Sequence, residues 1–99
     1  MLPNRITLAG YAMIYVISYD ISDNKKRSKV AAELEKLGLR VQKSVFLADL
    51  KVYQKDQICR ILDKIIDKKC DQILLIPCCQ NCQKRILEIG LETKGYFVL

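Results

Sequence analysis

From Ile14 to Tyr19 the chain reads IYVISY, a run that is apolar, aromatic or β-branched apart from one serine. It is too short for a buried helix and suits a pleated surface, so it predicts a central strand. Ser22, Asp23 and Asn24 then offer N-cap side chains. Val30, Leu34 and Leu37 follow at helical spacing up to Gly38, which is expected to stop a first helix. Leu39 to Leu50 is extended in character, with Val41, Val45 and Phe46 among polar residues. It predicts a bent strand or a tight strand pair turning near Lys43 and Ser44. Ile58, Ile61, Leu62, Ile65 and Ile66 fall on one face of a second helix, with Lys and Asp facing outward. Ile73 to Ile76 is a further buried strand, expected to end at Pro77.

The order strand, helix, extended pair, helix, strand predicts an α+β fold, a ferredoxin-like βαββαβ sandwich with two helices on one face of an antiparallel sheet. The other face also needs a cover. The simplest one is a second copy of the chain, a homodimer, to which Tyr96–Leu99 would add an extra C-terminal edge strand. Met1–Ala12 carries Pro3 and Gly10 without periodicity and is read as a peripheral N-terminal extension, residues 13–99 as a single ferredoxin-like domain.

Composition narrows the partners. With 99 residues there is material for one core. Lys and Arg number 17 against 11 acidic residues, a formal charge of +6 that favours a polyanion over an acidic small molecule. The same excess also serves solubility, so charge alone leaves nucleic acid as one of two readings. Five cysteines, an odd number, argue against a disulfide framework and for reduced thiols in the cytoplasm. The segment ITLAGYAMIYVI lacks the strongly basic start of a secretory signal and holds the first strand, and no run is long enough to span a membrane.

Asp20 ends the first strand, where side chains in open sheets reach ligands. Mg²⁺ takes one or two carboxylates plus substrate oxygens, so an exposed Asp20 duplicated by two-fold symmetry would suit it. A lone aspartate after a strand serves as readily in a turn or cap, and Asp23 is read as the helix N-cap. Lys25, Lys26, Arg27 and Lys29 crowd a helix start whose dipole favours acids. A phosphate bound there would resolve the conflict; a solvated helix face screened by salt is the other reading. Cys78, Cys79 and Cys82 include one C-x-x-C spacing, but zinc needs a fourth ligand, with no histidine and only Cys70 or Cys59 left, so zinc is disfavoured. A redox C-x-x-C normally opens a helix in a different strand order, and the cysteines are read as small buried thiols. There is no phosphate loop and no histidine for a triad or general base.

The line YVISYDISDNKKRSKVAAELEKLGLRVQKSVFLADL resembles the small core adaptation protein of CRISPR systems, the non-integrase partner of the CRISPR integrase. The features that carry the resemblance are YDI after the first strand, the Arg in the following helix, the QxSVF segment, and I-P followed by a C-x-x-C-like stretch and I-x-x-I-G. They span Met13 to about Gly90. The resemblance implies a ferredoxin-like homodimer acting in spacer acquisition, with a family label of endoribonuclease. It implies that Asp20 matches a catalytic Mg²⁺ ligand and that Arg27, Ser44 and Phe46 lie near the dimer cleft. It implies an integrase subunit and DNA or RNA as partners. Lys25, Lys26, Arg27, Lys29, Arg40 and Lys43 are the candidate nucleic-acid-binding cations. Two functions follow: a metal-dependent nuclease, and a structural duplex-DNA adaptor without catalysis. A regulatory dimer that binds a metabolite is a third reading, set aside by the motif match.

Overall fold

Residues 12–87 are described by a computed structural model. Strand β1 runs Ala12–Asp20, helix α1 Asn24–Glu35, β2 Gly38–Gln42, β3 Val45–Lys51, α2 Val52–Ile65, β4 Gln72–Cys78, and the single turn α3 Gln80–Gln83. The strands form one antiparallel sheet in the order β2-β3-β1-β4. This is the α+β, split βαβ arrangement that the element order predicts. The predicted edge strand at Tyr96–Leu99 lies outside the described residues, as does the N-terminal stretch up to Tyr11.

The period-two alternation of strands sorts side chains between two environments. Ile17 and Tyr19 of β1, and Phe46, Ala48 and Leu50 of β3, pack with Val30, Ala31 and Leu34 of α1 and Ile58 and Leu62 of α2. Phe46, Ile17, Leu34, Leu50 and Val30 are fully enclosed. Burial of each such side chain contributes on the order of 1.5–3 kcal/mol, which fixes the register of β1 against β3, since a one-residue slip would turn these groups to the other face. Leu39, Leu74 and Ile76 belong to the opposite face of the sheet and are 58%, 48% and 49% exposed. Nearby, Ile86 and Leu87 line a cavity of about 340 Å³ with Val16, Val41, Val45 and Leu47.

Several local expectations change. Helix α1 closes at Lys36, where the Leu37 N–H donates to the Leu34 carbonyl, so Gly38 is not its stop. Gly38 instead opens β2 directly against β3. A Cβ there would collide with the Leu47 carbonyl oxygen and come within 2.8 Å of the Ala48 Cβ, so the close approach of the two strands requires glycine. Pro77 does not end β4 but lies inside it, opposite Tyr15. Because β4 is bordered only by β1 among the described residues, a missing N–H on its outer side breaks no ladder bond there. On α2, Ile58 and Leu62 are buried and Ile65 and Ile66 pack against the core, whereas Ile61 remains 38% exposed. The apolar stripe is wider than the surface the sheet offers. The turn at Lys43 and Ser44 lies where the sequence places it.

Candidate nucleic-acid interface

The carboxyl end of β1, one side of α1 from Arg27 to Glu35, β2 at Arg40 and the β2–β3 turn meet around a groove of about 610 Å³. Tyr19, Asp20, Arg27, Arg40, Lys43 and Ser44 line it, with Glu35 at one side. Five of the sequence-predicted site residues are thus brought together from β1, α1, β2 and the β2–β3 turn. Asp20 is exposed and takes part in no ion pair among the described residues.

Arg40 is held rather than loose. Its guanidinium lies 5.3 Å from the centre of the Phe46 ring, a cation–π arrangement, and its Nη2 donates to the Tyr19 hydroxyl at 3.1 Å. The hydroxyl in turn donates to the Lys43 carbonyl at 3.3 Å. Tyr19 therefore links the end of β1 to the β2–β3 turn and raises the Arg40 pKa further, so the guanidinium is a permanent charge on the groove wall. The Arg40 to Glu35 separation of 3.8 Å is an exposed pair and adds little. Phe46 is not among the residues that line this groove: its side chain is fully buried on the helix-facing side of β3, stacked near Tyr19 with ring centres 6.2 Å apart. It acts on the groove only through Arg40 and Tyr19.

Arg27 is also reassigned in part. Its Nη1 donates to the Ile21 carbonyl at 2.7 Å and lies 3.5 Å from the Ser22 carbonyl, while Nη2 donates to Asn24 Oδ1. A planar guanidinium with several fixed donors suits this clamp on the β1–α1 loop, and fewer of its N–H groups remain for a phosphate. Asp23 caps α1 as expected, its Oδ2 accepting from the Lys26 N–H at 2.9 Å. That carboxylate supplies negative charge at the helix start, which the basic first turn otherwise lacks. Lys25, Lys26 and Lys29 do not line the groove; Lys25 and Lys29 stand exposed on the adjoining turns of α1, and Lys26 is half-buried. None of these three, nor Lys43, is in an ion pair among the described residues.

Asp71 is a contributor that sequence reasoning missed. It is buried, with 9% of its surface exposed. It accepts from the Asp67 N–H at 2.9 Å, the Ser22 N–H at 3.3 Å and the Cys70 thiol at 3.5 Å. It thereby ties the loop before β4 to the loop that follows Asp20. The Asp67 N–H is the main cause of its lowered pKa, with the Ser22 N–H, the Cys70 thiol and the nearby Lys26 charge adding to it against the effect of burial. A carboxyl held below its unfolded value stabilises the fold above about pH 4, and that stability is lost as pH falls through the native value. Asp71→Asn is expected to lower the melting temperature at neutral pH, because one of the two N–H groups then faces an amide. The difference from wild type should shrink as melts are repeated below about pH 4.

The cysteines differ from the expectation of buried thiols. Cys78 is buried, but Cys70, Cys79 and Cys82 are exposed and Cys59 is intermediate. The chain leaves the sheet after Cys78, so the next two thiols turn out to solvent. No group of three or more Cys, Asp or Glu able to hold a metal occurs among the described residues. Among the same residues no helix is long and apolar enough to cross a membrane.

Comparison with known proteins places this geometry in a family. Residues 13–86 match the family model described as CRISPR associated protein Cas2. A CRISPR-associated endoribonuclease Cas2 of Archaeoglobus fulgidus is 37% identical over 79 residues, covering 79% of this chain and 84% of that protein. The crystal structure of Streptococcus pyogenes Cas2 superposes with a TM-score of 0.75 at 30% identity, covering 79% of this chain and all of that one. A chain of a partial Cas6-RT-Cas1–Cas2 complex matches with a TM-score of 0.68 at 27% identity, over 88% of this chain and 99% of that chain. With the family match spanning most of its length and the same fold in its solved relatives, the chain belongs to the Cas2 family.

Proposed function

We propose that this protein is the nucleic-acid-binding subunit of a CRISPR adaptation complex, working as a homodimer beside an integrase subunit. The observation that carries the reading is Lys43 on a groove walled by Arg40, with Lys25, Lys26 and Lys29 on the adjoining turns of α1 outside its lining, none of the four lysines in an ion pair among the described residues. Cations not spent on internal carboxylates are available to phosphates, and phosphate contacts position a duplex without reading its sequence. The exposed apolar residues Leu39, Leu74 and Ile76 support a second copy on the open sheet face. The relative in a complex that includes Cas1 supports an integrase partner.

The test is a gel-shift titration of the full chain with duplex DNA and with RNA. Replacing Lys25, Lys26 and Lys29 together by Ala is expected to weaken duplex binding and to lower the salt dependence by about one unit of slope for each phosphate that is no longer neutralised. Unchanged affinity would sink this reading.

A second reading, Mg²⁺-dependent endoribonuclease activity, is favoured by the exposed Asp20 carboxylate in the groove and by the naming of the relatives. One carboxylate per chain fits a cation that draws its remaining ligands from waters, phosphate oxygens and a second Asp20. When bound there, the metal would supply Lewis-acid activation of a water. The protein's own contribution is to hold Asp20 at a rigid strand end, clamped by Arg27 and Asp71, with Arg40 and Lys43 beside the phosphate.

A further inference from the structure

Outside the groove, the residues after β4 form a hydrogen-bonded turn with a thiol at each side. The Cys79 carbonyl accepts from the Gln83 N–H at 2.9 Å, the Cys82 carbonyl from the Arg85 N–H at 3.0 Å, and the Cys78 carbonyl from Gln83 Nε2 at 3.3 Å. These bonds hold Cys79 and Cys82 one turn apart, where residues three positions apart are neighbours. Both side chains are exposed, whereas Cys78 beside them is buried.

We infer that Cys79 and Cys82 form a dithiol–disulfide couple, oxidised by small-molecule disulfides such as oxidised glutathione. The Cys79 thiolate attacks one sulfur of the small disulfide, whose S–S bond breaks to release one thiolate. The Cys82 thiol then loses its proton to solvent and attacks the Cys79 sulfur of the mixed disulfide, releasing the second small thiol. The protein dithiol loses two electrons and two protons, and the small disulfide is reduced to two thiols.

Chemistry assigns the order of attack. The Cys82 N–H, the Cys82 thiol and the Asn81 N–H all lower the Cys79 pKa, which makes it the nucleophile. Burial, chiefly, raises the Cys78 pKa, so the thiol immediately before it in sequence is inert. The turn also leads into Ile86 and Leu87, which line the cavity on the open sheet face, so a bond across it would stiffen that approach.

The experiment incubates the full chain in glutathione redox mixtures, then counts free thiols and measures intact mass. Wild type is expected to lose two of its five thiols with a mass decrease of two hydrogens and no attached glutathione. Cys82→Ser should trap one glutathione on Cys79, Cys79→Ser should abolish the loss, and Cys78→Ser should leave it intact. Five thiols persisting in excess oxidised glutathione, or peptide mapping that places the bond on any other pair of cysteines, would overturn the inference.

Discussion

Raising the salt from about 50 to 200 mM is expected to weaken duplex DNA binding by about a thousandfold, the loss produced when roughly six phosphates are neutralised. Each chain offers Lys25, Lys26, Lys29 and Lys43 without ion pairs among the described residues, so the two copies of the proposed homodimer would supply enough cations for that number. The release of counterions from the duplex, not direct attraction alone, sets the slope. Arg40 stays charged at every usable pH, so its share of the slope should not change with pH. Fluorescence anisotropy across a salt series measures it. Affinity that holds steady over the range would show that the basic residues serve solubility only.

The second large effect concerns Asp20. Asp20→Asn is expected to reduce Mg²⁺-dependent RNA cleavage by about a hundredfold or more, the scale associated with removing one charge-stabilising group from a reaction centre. Duplex affinity should stay within about twofold, because the substitution leaves every cation proposed to contact phosphate in place. The two readouts separate the two functional readings. If the variant cleaves as fast as wild type, the carboxylate plays no part in any cleavage seen. If neither protein cleaves while both bind DNA, the adaptor reading stands alone. The exposed position of Asp20 at the strand end makes the comparison clean, since the substitution leaves the core packing untouched.

The site is readable in the sequence to different depths. Asp20 and the N-cap Asp23 follow from local grammar, a strand ending in a carboxylate and then a helix start, and both stand where that grammar puts them. Arg27 and Phe46 are recognisable as site residues, but their work is indirect, one clamping the Ile21 and Ser22 carbonyls and the other supporting Arg40 from within the core. Asp71 gives no signal, because one of its partners lies in a loop 49 residues away. A single carboxylate between two loops has no periodicity to reveal it.

Hydrophobic spacing along the chain determined the order of β1, α1, the β2–β3 segment, α2 and β4, because periods of two and of about 3.6 residues are local properties of the backbone; the short α3 carries no such pattern. Tertiary structure alone decided what depends on neighbours distant in sequence. It left β4 at the edge of the sheet among the described residues, where Pro77 is tolerated, packed Gly38 against Leu47 and Ala48, and turned Cys79 and Cys82 outward while Cys78 stayed buried. It also drew Asp20, Arg40 and Lys43 to one groove, since only the folded sheet sets the end of β1 beside the β2–β3 turn.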